Sequence, residues 1–140
     1  MTTREDVVRE ALRWERTPYR ARARLLGVGV DCAMFPAEVY HAVGLVPRLD
    51  PVYSEQWMMN RDEEQFLSWV RPHAREIPRH EVGPGDFGIW RFGRCYSHGA
   101  IVIDAPLVIH AVVSAGAVVR ADMDRDSDLA DRPSLFFTLF

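Results

Sequence analysis

Three residues of the 140-residue chain could together break an amide bond: Cys32, His98 and His110. Cys32 follows the Gly-rich run Gly27-Val-Gly-Val-Asp31, and the residues after it return to a helical period. A thiol at the start of a helix meets unpaired backbone N–H groups and a partial positive charge. That environment favours the thiolate and offers donors for the oxyanion of an acyl-transfer intermediate. Asp31 is the expected N-cap, and its charge works against the thiolate, so a histidine partner is needed. By itself Cys32 also reads as a small buried apolar residue, a common fate of free cysteine.

The partner comes from the second half of the chain. His98 opens the apolar run Gly99-Ala-Ile-Val-Ile, and His110 lies within Val108-Ile-His-Ala-Val. A tight strand–turn–strand sets two such residues side by side. One imidazole can then take the thiol proton while the other fixes its tautomer. The plainer alternatives are two satisfied structural histidines, or a two-His metal site with Cys32 as third ligand. No close Cys/His pair has the usual zinc spacing, so neither metal nor cofactor is expected. His41, His73 and His80 sit in polar or helical surroundings, where surface positions are expected.

These residues need helices on one side and strands on the other. Val7, Val8, Ala11, Leu12 and Trp14 predict a helix over 3–14, capped by Thr2 or Thr3 and stopped at Thr17-Pro18. A loop is expected over 17–30, a helix over 32–43 ending at Gly44, and irregular chain over 45–60. A third helix is expected over 61–75, capped by Asn60 or Asp62. Pro84-Gly85-Asp86 is a turn, and strands are expected over 87–92, 97–103, 107–113 and 117–121. The last apolar run, 134–140, reads as a final core strand, with a docking segment as the alternative. Helices followed by a meander of strands predict an α+β fold in one domain, 1–140.

Composition narrows the partners. With 17 Lys+Arg against 20 Asp+Glu the formal net charge is −3, which argues against a nucleic-acid binder. No apolar run approaches the roughly 18–20 residues of a membrane span. The N-terminus has no apolar signal-peptide core, so synthesis in the cytoplasm without a signal peptide is expected. There Cys32 and Cys95 are expected reduced.

Thr17-Pro-Tyr19, Gly27-Val-Gly-Val-Asp-Cys32 and Glu38-Val-Tyr40 resemble the first half of the NlpC/p60 cell-wall cysteine peptidases. Pro84-Gly-Asp86, Ser97-His98 and Ile109-His110-Ala111 resemble the second half in the same order, over roughly residues 7–121. The resemblance implies a papain-like α+β fold and hydrolysis of amide bonds in the stem peptides of peptidoglycan. It implies Cys32 as nucleophile, His98 as base and acid, and His110 as the residue orienting His98. It places Tyr19, Asp31 and Ser97 on the substrate side, with Tyr19 near the oxyanion and Asp31 a cap rather than a catalyst. Ala33-Met34-Phe35 and Gly99-Ala100 depart from the small-Gly-aliphatic and Val-Gly that the family commonly carries after its Cys and His.

The bare form, without signal or wall-binding module, is similar to peptidases in tails of phages and gene-transfer particles. That likeness implies other tail proteins as partners, a place in the particle tail, and local wall opening during genome entry. The alternatives are an interbacterial wall hydrolase delivered by a secretion apparatus and a tail protein that kept the fold without the chemistry. A lipid acyltransferase fits less well, because Cys32 precedes both histidines.

Overall fold

The computed structural model describes residues 1–54 and 64–140. Helix α1 (Arg4–Arg13) begins at a reciprocal cap: Thr3 accepts from the Asp6 N–H, and the Asp6 carboxylate accepts from the Thr3 N–H. Its buried face, Val7 and Ala11, packs on helix α2 (Met34–Ala42) and on the sheet. Between the helices lies a small hairpin, β1 (Arg24–Leu25) with β2 (Gly29–Val30), in a stretch expected to be loop. Gly27, at φ +77°, makes its turn.

The third expected helix is shorter than its apolar pattern. Helix α3 covers Phe66–Val70, and Arg75–Ile77 is strand β3 rather than the helix's last turn. Pro72 is the reason: it brings no N–H to the helical ladder, so the ladder ends although Arg71 before it keeps α-region backbone angles. The proposed caps Asn60 and Asp62 lie outside the described residues.

The second half forms one antiparallel sheet in the order β3-β8-β4-β5-β6-β7. Its strands are β4 (Phe87–Phe92), β5 (Cys95–Asp104), β6 (Leu107–Val112), β7 (Ala117–Asp122) and β8 (Ser134–Thr138). The C-terminal apolar run is therefore an interior strand, hydrogen-bonded to β3 on one side and β4 on the other. Phe136 and Phe137, both buried, point to opposite faces, as successive strand residues must. On the helical face Phe35, Val39, Phe87, Ile89, Ile101, Ile109 and Phe137 share one core. On the other face Trp90, Val102, Val108 and Phe136 are covered by Met123 and Leu129 from the connection after β7. A sheet buried on both sides gives its central strands little freedom, and β5 and β6 carry the two histidines.

Candidate active site

The turn ahead of α2 is built around one carboxylate. Asp31 is fully buried, and its Oδ1 accepts from the backbone N–H groups of Ala33 (3.0 Å) and Met34 (2.8 Å). Its Oδ2 accepts from the Arg22 N–H (2.6 Å) and from the Tyr53 hydroxyl (2.5 Å). Four donors balance the charge and tie two other stretches of chain, at Arg22 and at Tyr53, to the helix start. Arg22 is held there at φ +61°, a left-handed conformation that costs a non-Gly residue about 1–2 kcal/mol. Because Asp31 uses the N–H groups of Ala33 and Met34, these two are not open to a substrate oxygen.

Cys32 sits inside this capped turn, two residues before the first helical residue, and is fully buried. Its thiol donates to the Ser97 carbonyl oxygen at 3.6 Å, and the Tyr19 hydroxyl lies 4.0 Å from Sγ. Tyr19 is positioned by backbone pairing on two sides, its N–H to the Gly116 carbonyl and a bridge to Val30. The nucleophile candidate therefore lies against the backbone of β5 at the residue preceding His98.

The two histidines meet where the β5–β6 ladder opens. Paired residues run Asp104↔Leu107, Val102↔Val108 and Ile101↔Ile109, and the register ends there. His98 and His110 lie just beyond, with Nε2 of His98 2.7 Å from Nδ1 of His110 and the rings nearly perpendicular, at 83°. Phe92 stacks on His98 (4.7 Å between centroids, 21°), and the Arg132 guanidinium lies 3.8 Å above Phe92. The His98 ring is thus fixed in plane and in rotation.

Burial decides the protons. Desolvation pulls the His110 pKa down to about 4, against the opposing pull of Asp126 and Asp128, so this ring is neutral at pH 7. When its Nδ1 accepts from His98 Nε2–H, the His110 proton resides on Nε2, which has no hydrogen-bond partner among the described residues. In that arrangement His98 Nδ1 is the ring nitrogen that can take a proton from a thiol, and His98 can become an imidazolium without losing its bond to His110.

The structure thus brings Tyr19, the Ser97 carbonyl and the Asp31 turn to Cys32, and on the strand that continues from Ser97 it joins His98 to His110. Ser97 contributes its carbonyl; its buried hydroxyl has no partner among the described residues. His41 bonds the Val46 carbonyl, while His73 and His80 are partly or fully exposed, away from the cluster. Among the described residues no group of three His, Cys, Asp or Glu side chains could hold a metal ion, and no helix is long and apolar enough to cross a membrane. Tyr53 and Arg22 join the site without notice from the sequence. Neither lies in a motif, and only the fold brings them to Asp31.

Beside the turn runs a groove of about 340 Å³ lined by Arg22, Arg24, Met34, Asp50 and Tyr53, among others. Arg24 pairs there with Glu38 and with Asp50.

A cysteine in a capped turn before a helix, packed on an antiparallel sheet that carries two bonded histidines, defines the small papain-like α+β class. The fold is that of NlpC/p60 domains. Over 95% of this chain and 97% of the other, it is similar to the NlpC/p60 domain of the peptidoglycan hydrolase SagA (TM-score 0.64, 19% identity). It is also similar to NlpC1 from Trichomonas vaginalis (TM-score 0.72, 13% identity), covering 97% of this chain but 43% of that one. The peptidoglycan hydrolase RipB from Mycobacterium tuberculosis gives TM-score 0.64 and 19% identity, over 98% of this chain and 64% of that one. No protein-family model matches the sequence, and no curated protein matches it at a significant level.

Proposed function

We propose that the chain is a cysteine peptidase that hydrolyses amide bonds in the stem peptides of peptidoglycan. The observation that carries this reading is the meeting of the Cys32 turn with the strand bearing His98, whose far nitrogen is bonded to a neutral His110. Two of the structural relatives named above are peptidoglycan hydrolases.

In this reading His98 Nδ1 takes the thiol proton and the Cys32 sulfur attacks the scissile carbonyl carbon. The oxyanion is met by Tyr19 Oη–H and by the N–H of Cys32, since Asp31 holds the next two N–H groups along the helix. His98 then gives its proton to the leaving amine. Water, activated by the same ring, releases the acyl group and restores the thiol. Throughout, His110 keeps Nε2 of His98 as the donor and Nδ1 as the working nitrogen.

The same reading puts the enzyme in the tail of a phage or a gene-transfer particle, among other tail proteins, opening the wall locally as the genome enters. The support is the likeness of the Gly27–Cys32 loop to peptidases of that type.

Digestion of purified peptidoglycan by the wild type and by Cys32→Ala, with fragments identified by mass spectrometry, tests the chemistry. New stem-peptide fragments from the wild type alone are expected. One observation favours a second reading, a tail protein without chemistry: Cys32, His98 and His110 are 0%, 2% and 0% exposed. No fragments from a folded wild type, alone or in intact particles, would select it.

A further inference from the structure

The charge next to the nucleophile poses a problem that the fold answers. Asp31 precedes Cys32 in the chain and is fully buried, so its carboxylate opposes a thiolate at close range in a poorly screened interior. The helix cap accounts for only one of its oxygens. The other takes the Arg22 N–H and the Tyr53 hydroxyl, the latter at 2.5 Å.

Tyr53 is placed for this contact. Its ring packs on Trp69 of α3 (5.5 Å between centroids) and is 8% exposed, so the hydroxyl has little room to turn elsewhere. The phenol is also kept from ionising: burial raises its pKa, and the Asp31 charge and hydrogen bond raise it further. It therefore remains a donor at any pH at which the protein works. The charges of Cys32 and Tyr19 add to that rise as well, which places Tyr53 within electrostatic reach of both.

We propose that Tyr53 is a positioning residue for the nucleophile: its hydroxyl draws the Asp31 charge away from the sulfur and so lets Cys32 form a thiolate at lower pH. The inference rests on the reading of Cys32 as nucleophile, and its test needs no substrate. Tyr19 from the loop before α2 and the Ser97 carbonyl from β5 lie against the thiol, Arg22 and Tyr53 hold the Asp31 carboxylate beside it, and His98, next to Ser97 on β5, is bonded to His110. Of these, Tyr53 and the Arg22 N–H are the donors that bind Asp31 on the oxygen not engaged by the helix.

The experiment is the rate of iodoacetamide alkylation of Cys32 against pH, in a Cys95→Ala background, for the parent, Tyr53→Phe, Asp31→Asn and the pair. Circular dichroism checks the fold, and Tyr53→Met replaces Tyr53→Phe if the latter does not fold. Losing one of the four donors should move the thiol titration up by about 0.5–1 pH unit, so the rate at pH 6 falls about three- to tenfold while the alkaline plateau stays. Asp31→Asn should move it down, and adding Tyr53→Phe to that variant should then change nothing. An unshifted titration in Tyr53→Phe, or a shift that persists without the Asp31 charge, overturns the inference. Inactivity on peptidoglycan with the expected titrations would instead count against the peptidase reading.

Discussion

Acid should unfold this protein through His110, and the size of the effect follows from its surroundings. The ring is fully buried between the sheet and the connection carrying Asp126 and Asp128, and desolvation takes its pKa from 6.5 to about 4. Between those values the unfolded chain binds a proton that the folded chain refuses. Stability therefore rises with pH across that window and is lost as pH falls through it. The whole window, about 2.5 units at 1.36 kcal/mol each, amounts to about 3 kcal/mol, of which about 2 kcal/mol is lost between pH 7 and pH 5. Urea unfolding followed by tryptophan fluorescence at the two pH values measures this loss in the wild type and in His110→Gln. The variant lacks the titrating group, so its stability should change less between pH 7 and 5, by about 2 kcal/mol, whatever its stability at pH 7. Equal losses in the two proteins would refute a neutral, desolvated His110. They would also remove the argument that it holds the His98 tautomer.

Two further outcomes concern the frame. Asp86, fully buried in the turn before β4, is paired with Arg4 Nη1 at 2.9 Å and accepts from the Gly83 N–H. Arg4→Met should cost about 2–4 kcal/mol in thermal or urea unfolding, below the value for a fully buried pair because the Arg4 side chain is 36% exposed; a loss under about 0.5 kcal/mol would contradict it. Gly99→Ala would place a Cβ 2.6 Å from Phe87 Cζ and 3.1 Å from Phe66 Cζ, so it should destabilise by about 1–3 kcal/mol. Adding Phe87→Leu should recover part of that loss, and no recovery would mean that the clash lies elsewhere.

The parts of this structure that could be read from the sequence are those written in local pattern. The first helix, with its Thr3 cap, and strands β4 to β7 follow the periodicity of their apolar residues closely. The Asp31 cap was legible too, because an Asp before a helical run has few other uses. What could not be read depends on distance. β1 and β2 are two residues each, too short for any period to show, and pair across a turn in an Arg-rich stretch. β3 is three residues long and exists because β8 offers it an edge, so its strand character comes from Thr138, Phe137 and Phe136 rather than from Arg75, Glu76 and Ile77 themselves. Tyr53 lies in chain without regular structure, and only folding brings its hydroxyl to Asp31, 22 residues away.

The two departures from the family pattern are explained by volume. Where a Val commonly follows the histidine, this chain has Gly99, and the space its side chain would occupy is taken by the rings of Phe87 and Phe66. Gly88, on the neighbouring strand, gives the same room on the opposite face to the Trp90 indole, whose nearest atoms lie 2.7 Å from where its Cβ would be. Glycine on the central strands thus accompanies large aromatics on the residues beside them, and the core is filled from fewer, bulkier side chains. Met34 follows the same rule on the helix: it is 3% exposed, packed in the core and lining the groove with Arg22 and Arg24, where a smaller residue would leave a hole near Cys32. Both departures therefore repack the walls around the Cys32 turn and the central strands. Under the proposed function, such repacking bears on which stem peptide fits and not on the bond chemistry proposed for Cys32 and His98.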